Sequence, residues 1–124
     1  MELQFTQMEN GIRLIKLIGQ LDIKGVGDVE TKFVGYTAGR EVPVLVDLSG
    51  VTYLSSIGIR LLLWTAKAVI ENAGKFVMLN PTPLVADVLD VSGMKNAIPI
   101  YSDYDAAVAD LLKQKTAQIK DIKE

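Results

Sequence analysis

Neither cysteine nor histidine occurs anywhere in the 124 residues. Their absence removes disulfides, thiolate and imidazole metal sites, and Ser-His-Asp or Cys-His catalysis. Aromatic residues are scarce at 6%, with a single tryptophan. Long apolar runs are missing too: none exceeds four residues, as in Leu61–Trp64 or Phe76–Leu79. A membrane span needs about twenty, so no direct membrane insertion is expected. The start, "MELQFTQMENG", lacks the basic and apolar regions of a signal peptide, and a cytoplasmic location is expected. Charge is nearly balanced, with 13 Lys+Arg against 15 Asp+Glu. Nucleic-acid binding, which needs a basic face, is not expected.

What is present is the material of one core-forming domain: 49% of the residues are apolar. "LQFTQME" and "IRLIKLIG" are apolar stretches joined by Asn10-Gly11, a hairpin signal. Val26, Val29, Phe33 and Tyr36 recur at helical spacing up to about Thr37. "VPVLVDL" reads as a strand buried on both faces. A helix is expected from Ser56 to about Asn72, with Gly74 ending it. "KFVMLN" gives a further strand and "PTP" starts a helix carrying Leu84, Val85, Val88 and Leu89, closed by Ser92-Gly93. "AIPIY" reads as a short edge strand because of Pro99. Asp103 caps a last helix through Leu112. The order is ββαβαβαβα, an α/β domain over residues 1–112. Its sheet is mixed but mostly parallel, with an N-terminal hairpin and about four helices. Residues 113–124 read as a charged helix extension or a disordered tail.

In such sheets, functional groups gather where strand ends meet helix starts. The most informative of these places is "DLSGVTYLSSIG". Asp47, Ser49 and Thr52 are loop formers, and Ser55 or Ser56 can cap the following helix. Ser55 suits the cap better, which leaves Ser56 on the first turn, facing outward. Gly58 costs helix propensity but allows another backbone to come close. At about 100° per residue, Ile59, Leu62, Leu63, Ala66, Val69, Ile70 and Ala73 form the expected core stripe. Ile57, Leu61, Trp64 and Ala68 fall near the opposite side. Either this helix is buried on both sides, or Ile57, Leu61 and Trp64 form an exposed partner-binding stripe beside the serines.

"VLVDLSGVTYLSSIGIRLLL", "GQLD" at Gly19–Asp22 and "DVSGM" at Asp90–Met94 together resemble the signature of STAS domains, the anti-sigma factor antagonist family. The strand and helix order matches over about residues 3–112. The resemblance implies a bacterial regulatory protein with no catalytic residue and no cofactor or metal of its own. Its unphosphorylated form would bind an anti-sigma factor that is also a serine kinase. Phosphorylation would end that binding, and a metal-dependent serine phosphatase would restore it. Ser56 matches the family's phosphorylated serine, with Ser55 as the alternative acceptor. Asp22, Ser55, Gly58 and Asn80 (the start of "NPTP") are expected around it, Asp22 either as a loop-capping carboxylate or in a direct role. A homodimer stays open. The other reading is an unphosphorylated scaffold subunit of a stress-signalling complex or a lipid transporter.

Overall fold

The computed structural model describes residues 1–112. Five strands run in the order β1-β2-β3-β4-β5 across one sheet. They are β1 (Glu2–Gln7), β2 (Arg13–Leu21), β3 (Pro43–Leu54), β4 (Lys75–Leu79) and β5 (Ile100–Tyr101). The pair β1–β2 is antiparallel, and each later pair is parallel. The parallel strands are linked by α1 (Ile23–Thr37), α2 (Ser56–Glu71) and α3 (Pro83–Val91). A 3-10 turn, Met94–Asn96, precedes β5, and α4 occupies residues 104–112. The expected ββαβαβαβα order is therefore the observed one. The expectation for residues 113–124 lies outside the described residues.

The period-two alternation of β2 and β3 sends side chains to two different layers. Ile15, Leu17, Val44 and Val46 share one core with Phe76 and Met78 of β4. That face is covered by Val26, Val29 and Phe33 of α1, Leu62, Ala66 and Val69 of α2, and Val85 and Leu89 of α3. Ile12, Leu45, Val77 and Leu79 turn the other way and meet Ala107 and Leu111 of α4. The run "VLV" in β3 is apolar at every position because both its faces are covered.

Local signals explain most element ends. The hairpin forms around Asn10, whose Oδ1 accepts from Ile12 N at 3.1 Å, but the connection is five residues long, from Met8 to Ile12. It is wider than the tight Asn-Gly turn expected. Helix α1 starts three residues before the first apolar marker, because Asp22 caps it. Its last carbonyls are met by Arg13, whose guanidinium donates to Tyr36 O at 2.9 Å and Ala38 O at 2.8 Å. Asp103 caps α4 through Ala106 N at 3.0 Å. Strand β5 shrinks to two residues, since Pro99 has no N–H to donate and contributes only its carbonyl, to Met78 N.

The main departure from the expected fold is in "SGVTYL". Its loop-forming residues suggested a loop after Asp47, yet β3 continues to Leu54. The nine-residue β2 needs a partner along its whole length, and residues 50–54 supply it: Ile18 faces Gly50, Gly19 faces Val51, and Leu21 faces Leu54. Asp47 still turns its backbone locally, accepting from Ser49 N at 2.9 Å, beside a register shift in the ladder.

Helix α4 is fastened to the sheet edge by a polar cluster. Asp110 pairs with Lys75 of β4, and its Oδ2 accepts from the Tyr101 hydroxyl at 2.5 Å. The Tyr101 phenol is held above its ordinary 10.0, first by that hydrogen bond, then by burial and the Asp110 charge. The protonated phenol is therefore favoured in the folded state. Its stabilising contribution is complete below the unfolded value of 10.0 and disappears as pH rises through the folded value. Urea midpoints measured near pH 8 and near pH 11 should fall more steeply for the native protein than for Tyr101→Phe. Parallel losses in the two proteins would contradict this role.

Candidate functional site

The site grows from one register match. Leu21, the last residue of β2, lies opposite Leu54, the last of β3. Helices α1 and α2 therefore begin side by side at the same end of the sheet. Each is capped by the residue that follows its strand. Asp22 Oδ1 accepts from Gly25 N at 2.8 Å, and Ser55 Oγ accepts from Gly58 N at 3.4 Å.

Ser55 has a second duty that the sequence did not reveal. Its N–H donates to Leu21 O at 3.1 Å and its hydroxyl donates to the same oxygen at 2.9 Å. One carbonyl of β2 thus holds both polar groups of the α2 cap. This approach is open only because residue 58 has no side chain. A Cβ there would stand 2.5 Å from Leu21 O and 2.9 Å from Leu54 Cδ1. Gly25 is similarly constrained, its missing Cβ falling 1.9 Å from Gln20 O.

Ser56, one residue on, has neither constraint. It is the first residue of α2, exposed, and its hydroxyl makes no hydrogen bond among the described residues. The two serines differ in availability: Ser55 is committed as donor and acceptor, while Ser56 is an unengaged hydroxyl at the surface. No group of three or more His, Cys, Asp and Glu that could hold a metal ion occurs among the described residues.

The structure corrects the phase of α2. Its buried positions are Gly58, Leu61, Leu62, Thr65, Ala66 and Val69. Leu61, placed by the sequence on the partner-facing stripe, is only 6% exposed and belongs to the core. Leu63 and Ile70, placed in the core, are exposed. Ile57 is half-buried against the core, and Trp64 is 65% exposed. The outward face running from Ser56 is therefore Arg60, Leu63, Trp64 and Lys67, with Tyr53 exposed at the end of β3. Arg60 lies over the Trp64 ring, its guanidinium carbon 5.7 Å from the centroid.

Asn80 does not join this group. Leu79 pairs with Asp47, so Asn80 stands level with Leu48, well short of the Leu54 end of β3. Its N–H donates to Tyr101 O at 2.6 Å, across to β5. The residues that meet at the start of α2 are instead Leu21, Ser55 and Gly58, with Asp22 following Leu21 in the chain. Sequence reasoning also missed an apolar groove of about 330 Å³ beside α2, lined by Ile59, Leu84, Val88 and Val91 with Asp87 and Ser92. Val91 alone is 89% exposed.

Comparison with known proteins decides the family. The STAS domain model matches residues 6–107. This chain belongs to the STAS domain family. Among its relatives, the anti-sigma F factor antagonist of Lysinibacillus sphaericus is 26% identical over 95 residues, covering 76% of this chain and 81% of the relative. An anti-sigma factor antagonist from Mycobacterium paratuberculosis superposes with a TM-score of 0.80 at 20% identity, covering 89% of this chain and 92% of that one. The anti-sigma factor antagonist SpoIIAA, solved in its unphosphorylated form, superposes at 0.74 with 21% identity, covering 90% of this chain and 97% of the other. SpoIIAA of Bacillus has also been solved phosphorylated; that form superposes at 0.64 with 20% identity, covering 88% and 98%. This STAS domain thus has the fold of those antagonists along nearly all of its described length. Among the described residues, no helix is long and apolar enough to cross a membrane.

Three substitutions test the geometry. Gly58→Ala should destabilise the domain although alanine favours helix by about 1 kcal/mol, because its Cβ meets the Leu21 carbonyl. Leu61→Ala should cost about 2–5 kcal/mol in urea unfolding, while Trp64→Ala costs less than about 1 kcal/mol. Equal losses at 61 and 64 would overturn the assignment of faces.

Proposed function

We propose that this STAS domain is an anti-sigma factor antagonist whose Ser56 is the phosphoacceptor. The observation that carries the reading is the division of labour between the serines. Ser55 Oγ is taken up by Leu21 O and Gly58 N, whereas the Ser56 hydroxyl is exposed and unengaged. Names borne by relatives of this chain point the same way.

In this reading the unphosphorylated domain docks an anti-sigma factor that is also a serine kinase. The contacts come from the outward side of α2, Ile57, Leu63 and Trp64, with Leu61 acting from beneath as packing. Exposed apolar side chains around a lone tryptophan suit such an interface, where tryptophan often dominates the binding energy. The kinase brings a nucleoside triphosphate and its metal. Ser56 Oγ bonds to the γ-phosphorus, the bond to the bridging oxygen breaks, and the nucleoside diphosphate leaves. The hydroxyl proton passes to the kinase's base or to water. A metal-dependent serine phosphatase reverses the modification.

A phosphate on Ser56 adds about −1.5 to −2 charges at neutral pH. The α2 N-terminus tolerates it, since the helix dipole favours an anion there. The docked complex does not, because the anion would lose its water where apolar side chains close over the surface. The switch therefore separates fold from binding: the domain stays folded and the partner is released.

Ser56→Asp should weaken binding to the cognate kinase about a hundredfold, equivalent to about 2.7 kcal/mol, with an unchanged melting temperature. Calorimetric titration of the two proteins against that kinase measures it. Undiminished affinity would contradict the charge mechanism.

A further inference from the structure

Ser56, Arg60 and Trp64 follow one another at intervals of four residues along α2, and all are exposed. Side chains four apart share a helix face, with about 5–6 Å between their Cβ atoms. Helical side chains also lean toward the N-terminus, which directs Arg60 toward Ser56. In the unmodified protein, however, the guanidinium rests over Trp64, 5.7 Å from the ring centroid. That is within the range of a cation–π contact, worth about 0.5–1 kcal/mol where exposed. Arg60 makes no side-chain hydrogen bond or ion pair among the described residues. Arg60 is therefore held in place by a weak contact alone, within reach of a second, stronger acceptor once Ser56 is modified.

We propose that Arg60 is the residue that reads the state of Ser56. When Ser56 carries a phosphate, the guanidinium leaves the Trp64 ring and pairs with the phosphate oxygens. Arginine suits this exchange because its planar fork both stacks on aromatic rings and binds phosphate through two parallel N–H groups. Charge-assisted hydrogen bonds are roughly twice as strong as neutral ones, so they outweigh an exposed cation–π contact. The movement changes the docking side of α2 twice. It places an anion at Ser56, and it removes the cation from Trp64, uncovering the ring and shifting positive charge one turn toward the serine. This inference rests on Ser56 as the modification site and adds the residue through which the modification reaches Trp64.

The other ionisable groups near the two helix starts are Asp22, which caps α1, Lys24 and Asp28 on α1, the latter paired with the Met1 ammonium, and Tyr53 at the end of β3, with Lys67 farther along α2 and Asp87 of α3 across the groove from Ile59. The test therefore compares proteins that differ only at residue 60. Phosphoserine is installed at position 56 in the full chain during translation, so that no kinase is needed. The second ionisation of the phosphate, ordinarily about 6, is followed by phosphorus NMR against pH. A guanidinium pairing with the dianion favours the charged form, so this ionisation should lie lower with Arg60 than with Arg60→Gln. Arg60→Lys should restore part of the difference, by charge without the fork. Trp64 emission should change between unmodified and phosphorylated protein only when Arg60 is present. Identical titration curves in the Arg60 and Arg60→Gln proteins, or an emission change that survives Arg60→Gln, would overturn the proposal. The kinase titration of the same phosphorylated proteins separates the two ideas. Undiminished kinase affinity for the phosphorylated Arg60 protein contradicts the function proposed above, whatever the NMR shows. Partner release with identical titration curves contradicts only the role of Arg60.

Discussion

The carbonyl of Leu21 is the point on which the rest of the site depends. It ends β2, receives both the N–H and the hydroxyl of Ser55, and lies where a side chain at position 58 would have to go. A buried carbonyl must find donors, and here the donors are those that start α2. The same contact brings strand end, helix cap and glycine into one rigid unit. That rigidity leaves the next residue, Ser56, presented outward from a fixed backbone.

This arrangement accounts for two adjacent serines of different character. A hydroxyl that already donates and accepts is a poor acceptor for an incoming phosphoryl group, since its modification would break both bonds and the helix cap. A hydroxyl one residue later is free of those ties. In the function proposed above, structure and signalling thereby fall to neighbouring side chains. Beyond Ser56, the core side of α2 is packed, and its outward side carries the apolar Leu63, Trp64 and Ile70 together with Arg60 and Lys67.

Much of this was legible in the sequence. Asp103 and Ser55 read as helix caps because a short polar side chain before an apolar run has an orphan N–H to satisfy, whereas Asp22 was open between a capping and a direct role until its bond to Gly25 N decided for the cap. The sheet order followed from alternating strand and helix signals, and the STAS resemblance lay in the stretches around Asp22, Ser56 and Ser92-Gly93. What failed did so for identifiable reasons. "SGVTYL" has the composition of a loop, but tertiary pairing with β2 overrides that propensity. The phase of α2 was misread because its core contacts include Gly58 and Thr65, which carry no apolar signal, while Leu63 and Ile70 do. Asn80 was grouped with the serines on the assumption that strand ends are level, and β3 runs beyond β4. The double hydrogen bond at Leu21 is a long-range contact with no local signature.

The central claim is that the two serines have exclusive roles, Ser55 holding the fold and Ser56 receiving the phosphate. Its most direct test is to incubate the protein with its cognate kinase and ATP, digest it, and locate the phosphate by tandem mass spectrometry on the peptide spanning both residues. The account predicts phosphate on Ser56 and none on Ser55, including in a Ser56→Ala protein. Phosphate on Ser55, in either protein, would contradict it.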